Sequence, residues 1–491
     1  MTAVVILTQA STFKRRPNLT RYKVLLGPTS IFVCAGCILL RISIFGLGRV
    51  GLVTAACFAK KGFQVLGIDP DLERIKLVRS FEPPFFEPGL DVYLRDAIKD
   101  GTLTVTDVPD RSEQSDIIYI AVGTPSKGNG AIDLTQVKNA ATIIGRLLRK
   151  ATGRRTVVLK STVVPGTARN VIKPILESES RKSCGVDFSL LSNPEFLREG
   201  NAVHDTEFPD RIVIGGDDTE GMRRLESLYE QFHAASHPPV IRTTHENAEL
   251  IKYASNAFLA TKISFANTMA AIAERIPCAD VTKVTEGMGL DARIGPGFLD
   301  AGLGYGGSCL PKDVLALIHL SRDLGYEPRL LSAASEVNER QSVKAVEFAK
   351  SKLGSLRGKK VAILGLAFKP STDDMREAVS IPIINGLLEQ GASIAAYDPM
   401  ANQAGKRVFG DQIRYAENAR ECIRMADLAV LVTDWEEFAE LTAHDFLSLM
   451  NAPVLFDGRG MYDSHKMRAA GIDFSAIGLG PELPADKSRE G

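Results

Sequence analysis

Residues 41–71 read RISIFGLGRVGLVTAACFAKKGFQVLGIDPD, and the order of residue types in this stretch decides the fold. Ile42, Ile44 and Phe45 make a short apolar run of β type. Gly46, Gly48 and Gly51 punctuate a turn, Leu52 to Lys61 has helical spacing, and Gly62 stops it. Val65 to Ile68 is a second apolar run, closed by Asp69. The stretch is therefore strand, glycine turn, helix, strand, with an acid about 20 residues after the glycines. A lone G-x-G-x-x-G says little, but in this setting it specifies a βαβ unit that holds a dinucleotide. The glycines let backbone close on a pyrophosphate at the helix N-terminus, and Asp69 accepts hydrogen bonds from the adenosine ribose. An acid there selects NAD, because it repels the 2′-phosphate of NADP; Arg74, close by, keeps NADP as a minor option.

Working outward, DIIYIAVGTP (116–125) and TVVLKSTVVPGT (156–167) are further strand-and-loop units. Strands alternating with helices indicate a parallel sheet covered on both faces. The texture changes at NAELIKYASNAFLATKISFANTMAAIAERI (247–276), which has neither glycine nor proline. It reads as one long helix, apolar on more than one side, and so buried against other helices or another subunit. KKVAILGLAFKPSTDDMREAVSIPIINGLLEQGASIAAYDP (359–399) then repeats the first unit in outline: a strand from Val361 to Leu364, a loop at Gly365, a helix, Gly391, and a strand ending at Tyr397 before Asp398. The expected class is α/β, with two Rossmann-like, doubly wound parallel-sheet lobes joined by a central helical domain. The divisions are residues 1–39 as an extension, 40–244 as the NAD lobe, 245–340 as the helical and dimerisation domain, and 341–491 as the second lobe.

At 491 residues the chain exceeds what one core can organise. Basic and acidic residues both number 59, so the net charge is zero and no nucleic acid or acidic surface is expected as partner. The cysteines (Cys34, Cys37, Cys57, Cys184, Cys278, Cys309 and Cys422) are odd in number and scattered, which argues for a reducing compartment, the cytoplasm. No metal site is expected. The run from Val24 to Leu40 is apolar and follows Lys14, Arg15, Arg16, Arg21 and Lys23, so read alone it is a signal anchor. It falls short of the roughly 20 apolar residues of a span, Gly27-Pro28 interrupts it, and the strand at Ile42 follows without a spacer. The favoured reading is that the chain proper begins near Leu40 and that residues 1–39 reflect an upstream start assignment. A membrane anchor is the second reading. Cys34 and Cys37 have CxxC spacing but lack the βαβ setting of a redox motif.

The chemistry centres on GLGYGGSCLPKDV (302–314). Structural cysteines hide among apolar neighbours, whereas Cys309 stands between Gly306, Gly307, Ser308 and the charged pair Lys312 and Asp313. Lys312 and a nearby helix N-terminus are expected to favour the thiolate. A dehydrogenase has a specific use for such a group. An aldehyde gives up hydride only after a tetrahedral carbon with a donating oxygen has formed. A thiolate supplies it as a thiohemiacetal, which is oxidised to a thioester and hydrolysed. Cys309 thus implies an alcohol or aldehyde taken to a carboxylate. Lys252 and Asn256, four residues apart, share one helix face among apolar neighbours, which aims the lysine into a cleft. Glu195 and Glu199 in NPEFLREG follow the strand-like DFSLLS, at the strand end where α/β sheets bind ligands.

From Arg41 to Gly458 the chain resembles the nucleotide-sugar dehydrogenase family. The resemblance rests on GLGRVGL, FFEPGL, VGTPS, KSTVVPGT, NPEFLREG, FPDRIVIGG, IKYASNAFLATKISFAN, RIGPGFLDAGLGYGGSCLPKDV and FKPSTDDMRE, in family order. It implies oxidation of a nucleotide-sugar C6 alcohol to carboxylate with two NAD per turnover, UDP-glucose to UDP-glucuronate first, GDP-mannose or another UDP-sugar as the alternative. It implies Cys309 as nucleophile, Lys252 as oxyanion stabiliser, Asn256 as a sugar-positioning group and Asp313 in proton transfer. Glu195 would serve thioester hydrolysis, and Thr162 would lie near the nicotinamide and the water. Val50, Val122, Thr124, Glu199, Lys312 and Arg376 match cofactor contacts. Phe196, Leu197, Phe298, Tyr305 and Gly306 match the substrate site, and Lys369 a phosphate contact. Arg293 matches a residue that reaches the neighbouring subunit's sugar site, which implies a homodimer through the central helix. Two departures stand out: Arg49 replaces the usual aromatic beside the pyrophosphate turn, and Leu310 replaces a usual phenylalanine. Two rivals remain, a catalytically silent NAD-binding regulator and a two-electron hydroxyacid dehydrogenase, and the NADH yield per sugar separates all three.

Overall fold

The computed structural model describes residues 40–482; the extension 1–39, with the apolar run before Leu40 and the CxxC pair, lies outside the described residues. The first lobe is an eight-stranded sheet of β1 (Arg41–Phe45), β2 (Gln64–Ile68), β3 (Leu103–Thr106), β4 (Ile117–Ile120), β5 (Arg155–Leu159), β6 (Phe188–Ser192), β7 (Ile212–Gly215) and β8 (Val240–Thr243). Its strand order is β3-β2-β1-β4-β5-β6-β7-β8. Ile42 of β1 sits between Val65 and Ile117 in parallel register. The interior strands are buried on both faces, as a parallel sheet sandwiched between helices requires. The order reverses between β1 and β4, and ligands bind such sheets beyond the strand ends at that reversal. Gly46 makes the turn possible there: its φ is +95°, and a Cβ would lie 2.7 Å from the Ala121 carbonyl oxygen.

Two details differ from the sequence expectation. The helix after the glycine turn starts at Arg49, with Gly51 inside its first turn, because Gly48 is the N-cap. The sheet is also not wholly parallel: β6 meets β7 in antiparallel fashion, and β8 runs with β7.

The second lobe repeats the design with β9 (Lys360–Leu364), β10 (Ser393–Tyr397), β11 (Arg414–Tyr415), β12 (Leu428–Leu431), β13 (Val454–Asp457) and β14 (Asp473–Ala476). The order β11-β10-β9-β12-β13-β14 is all parallel and reverses between β9 and β12. Between the lobes runs a helix of 29 residues, His245–Ala273, capped by the Thr244 side chain on the Asn247 N–H. It begins two residues earlier than the periodicity suggests. Helices Leu310–Asp323 and Arg329–Leu353 pack against it. No helix among the described residues is long and apolar enough to cross a membrane.

Candidate functional site

The first-lobe cradle is assembled from the β1 turn and the end of β2. Gly48 caps its helix with no side chain, and a Cβ there would meet nothing within 4 Å, so the uncapped N–H groups of the first turn face open space. That is the arrangement an anionic pyrophosphate needs. Asp69 is buried at the end of β2; its carboxylate accepts from the Leu47 N–H at 2.7 Å, the Asp71 N–H at 3.0 Å and Arg74 Nη1 at 2.9 Å and 3.0 Å. One side chain therefore shapes the glycine turn and holds Arg74 beside it. Val50 follows in the helix, and the loops after β4 and β5 close the other side. There Thr124 Oγ1 donates to the Thr162 carbonyl at 2.8 Å, and Ser161 Oγ donates to that of Val122 at 2.7 Å. These residues fit a dinucleotide. Asp69→Ala should weaken NAD binding by about 1–3 kcal/mol and narrow the preference over NADP. Calorimetric titration with both nucleotides checks this, and unchanged affinity and selectivity would remove Asp69 from the cradle.

The central helix presents Lys252 and Asn256 on one buried face. Lys252 Nζ lies 3.0 Å from Glu195 Oε1, and Leu197 N–H donates to the other Glu195 oxygen at 2.6 Å. Burial disfavours both charges, yet the pair prevails: Glu195 is held below the usual carboxylate range and Lys252 above the usual amine range. Asn256 Nδ2 donates to Asp313 Oδ2 at 2.6 Å, and Lys312 Nζ reaches Asp313 Oδ1 at 2.5 Å. Phe196 lies 5.5 Å below the Lys252 ammonium and stacks on Arg211 at 3.8 Å.

Cys309 occupies the N-cap of helix Leu310–Asp323, as the helix-terminus expectation requires. Its surroundings correct the rest of that expectation. The thiol is not bare, because the glycine loop is pressed onto the second lobe: a Cβ at Gly306 would sit 2.1 Å from the Glu377 carbonyl oxygen. Burial pushes the thiol pKa up, and the cation that opposes this is Lys252, since Lys312 is spent on Asp313. Tyr305 in the same loop is fixed through its backbone by Asn338, at 2.8 Å and 3.0 Å.

A charged cluster joins the two lobes. Glu199 accepts from Ser308 Oγ at 2.8 Å and from Arg376 Nη2 at 3.3 Å, and Ser308 Oγ is 3.5 Å from the Cys309 sulfur. Arg49 reaches across to Asp373 at 2.9 Å, lies 3.6 Å from Glu199 and rests 4.8 Å over the Phe85 ring. The departure from an aromatic thus becomes a bridge between lobes. Lys369 faces Glu199 and Glu87, and burial lowers its pKa. Burial, with Asp374 alongside, pushes Glu199 up to about 7 despite Arg49. A carboxyl raised from 4.5 to about 7 on folding contributes stability below pH 4.5 that is lost as pH rises toward 7. Glu199→Gln should therefore gain on the wild type by about 1–3 kcal/mol between pH 5 and pH 8. Thermal midpoints across that range test this; a constant difference refutes it.

Arg293 and Phe298 are not brought to this cluster. Arg293 is exposed and, among the described residues, paired with Asp291, and Phe298 is exposed with φ +63°. Arg459 joins the site without having been singled out. It follows β13, donates to the Val432 carbonyl at 2.6 Å and to that of Gly304 at 3.2 Å, and so holds the glycine loop on the second lobe. The available signal was FDGRG after an apolar strand, the same strand-end rule that marked Glu195. Among the described residues no group of three or more His, Cys, Asp or Glu side chains could hold a metal ion.

Residues 40–233, 246–340 and 362–464 match, in turn, the NAD binding, central and UDP binding domains of the UDP-glucose/GDP-mannose dehydrogenase family. The chain is 43% identical to UDP-glucose 6-dehydrogenase TuaD of Bacillus subtilis, over 89% of this chain and 93% of that protein. It is 42% identical to UDP-glucose 6-dehydrogenase AglM of Haloferax volcanii, over 89% and 100%. It superposes on the solved UDP-glucose dehydrogenase of Pyrobaculum islandicum with a TM-score of 0.83 at 38% identity, covering 91% of this chain and 99% of that one.

Proposed function

The chain belongs to the UDP-glucose/GDP-mannose dehydrogenase family and is an NAD-dependent oxidoreductase, and from that premise we propose that it oxidises the C6 alcohol of UDP-glucose to a carboxylate. The observation that carries the reading is the convergence of a half-buried thiol, Cys309, with the Lys252–Glu195 pair and the Asn256–Asp313 pair. NAD, when bound in the first-lobe cradle, accepts a hydride at each of the two oxidation stages. The chain's own groups do the rest. Asp313, steadied by Asn256 and Lys312, takes part in removing the alcohol proton. Cys309 sulfur then adds to the aldehyde carbon, and the carbonyl pair moves to an oxygen that the Lys252 ammonium stabilises. After the second stage a thioester remains. Glu195 accepts a proton from the attacking water, the carbon–sulfur bond breaks, and Cys309 leaves as thiolate while the acid is released. Lys369 and the loop held by Arg459 serve the nucleotide end.

Two finer features belong to this reading. Leu250, Phe258, Phe265 and Ile272 are exposed along the central helix at near-heptad spacing, which supports a homodimer formed through that helix. Such pairing gives Arg293 a neighbouring site to reach. The free cysteines Cys57, Cys184, Cys278, Cys309 and Cys422 support a cytoplasmic location.

The test is a panel of UDP-glucose, GDP-mannose, UDP-N-acetylmannosamine and UDP-galactose, with NADH followed by absorbance. Two NADH per UDP-glucose is the expected yield. Preference for GDP-mannose changes the substrate, one NADH points to a two-electron dehydrogenase, and none to a regulator.

A further inference from the structure

Taking an alcohol to a carboxylate with two NAD releases three protons per sugar. Lys252, Glu195 and Asp313, the groups nearest that chemistry, are all buried. A cavity of about 10 Å³, room for about one water, adjoins Lys252 and is lined in part by Thr162, Ser192 and Glu249 as well. Glu249 lies one turn before Lys252 on the central helix, is 4% exposed, and has no part in the steps above. Its Oε1 is 3.3 Å from Ser192 Oγ, which in turn is 2.9 Å from His245 Nδ1. Beyond His245 lie Arg169, Asp217 and Glu246, an ion-paired cluster at least a third exposed to solvent.

Glu249 also accepts the Gly166 and Ala168 N–H groups at 2.7 Å and 2.9 Å, which ties the Thr162 loop to the helix. That clamp explains the carboxylate but not the hydroxyl and imidazole aligned behind it. We propose that Glu249, Ser192 and His245 form a proton-exit relay from the Lys252 cavity to the surface; the relay rests on the dehydrogenase reading. A proton leaving Lys252 crosses one cavity water to Glu249, leaving a neutral amine and a neutral acid. The Glu249 proton passes to Ser192 Oγ as the hydroxyl's own proton passes to His245 Nδ1. Carboxylate and hydroxyl are thereby restored and an imidazolium is left; His245 is itself 4% exposed, so its proton leaves to solvent by way of the exposed Asp217 and Glu246 carboxylates beside it. The energetics suit a neutral solution: burial, reinforced by Glu246, pushes Glu249 up to about 7, and burial lowers His245. The charged groups facing the pair are Lys252 and Glu246 beside Glu249, and Asp217, Arg169, Glu246 and Lys173 around His245. Only a small step separates Glu249 from His245; the Glu195 partner holds Lys252 above the usual amine range, so the first transfer is the uphill one and is drawn forward by loss of the proton at the surface end.

Ser192→Ala cuts the relay and leaves the clamp on Gly166 and Ala168 intact. His245→Asn keeps a partner for Ser192 but cannot carry a proton, and His245→Ala opens a space for a diffusible base. In all three, kcat should fall by about 10-fold or more, less than the roughly 10²–10⁴-fold of a group that meets substrate. KM for the sugar should hold, the solvent deuterium isotope effect on kcat should rise, and added imidazole should restore His245→Ala with saturation. Unchanged kcat in any of the variants, or a fall with neither imidazole rescue nor a changed isotope effect, overturns the relay. Thermal midpoints identify a variant that fails to fold, and the remaining two then decide. A wild type that turns over no sugar instead overturns the dehydrogenase reading, and the relay with it.

Discussion

Cys309→Ser should cut steady NADH production by at least about 10³-fold, roughly 4 kcal/mol of barrier. A serine hydroxyl is almost never ionised at neutral pH without a strong base beside it. The first oxidation stage requires a base and no thiol, so the variant should stop at the aldehyde or at a slow ester. Any residual signal is a burst of at most one NADH per site, or an adduct seen in the intact mass. The wild type has a related signature. Because burial raises the thiol pKa, the acyl stage should quicken as pH rises above neutral, and this limb should vanish in the serine variant. Cys184→Ser serves as the control, since Cys184 is half-buried against the first lobe's core just before β6, with its N–H on Glu177. Cys57 and Cys422 are poorer controls: both are fully buried, and a serine hydroxyl there costs about 1–3 kcal/mol unless it finds a partner. Steady release of two NADH per sugar by Cys309→Ser would end the thiol mechanism.

The framework around this thiol was legible because its signals are local. The strand-glycine-helix grammar at Gly46 works within about 30 residues, and the second lobe writes the same grammar again at Gly365. The thiol's environment was not legible, because sequence neighbours are not spatial partners. Lys312 looks like the activating cation but turns to Asp313 one residue on, while Lys252 arrives from another helix. Arg49 read as a local departure at the pyrophosphate turn, and its partners Asp373 and Glu199 come from distant segments. Glu249 shows the same limit: on the helix it is an interior acid, and only the packing of the 166–168 backbone and Ser192 against it gives it work. The reversed β7–β8 edge had no local mark at all, since a strand's direction is set by its connections and not by its residues.

Lys252→Met should lower kcat by about 10²–10³-fold, the size found when one oxyanion-stabilising group is removed from a dry site. The same change strips Glu195 of its counter-charge, and breaking a buried pair costs about 3–5 kcal/mol of stability. A loss of activity alone therefore cannot distinguish chemistry from collapse. The double variant Lys252→Met with Glu195→Gln can, because it leaves no uncompensated charge in that pocket: Leu197 N–H can still find the amide oxygen. Its thermal midpoint should recover most of the loss, while its NADH burst, which Glu195→Gln alone retains, stays slow. Glu195→Gln alone should keep the ammonium next to Cys309 and the sugar oxygen, so thioester should accumulate and acid release become limiting. Its burst of NADH should then exceed its steady rate. If the double variant regained activity together with stability, Lys252 would be a structural partner of Glu195 and nothing more, and the oxyanion would have to be held by another group. Among the described residues, Lys312 is already bound to Asp313 and Lys160, which also acts on Glu195, to Asn193; removal of one of these would then be the change that stops catalysis.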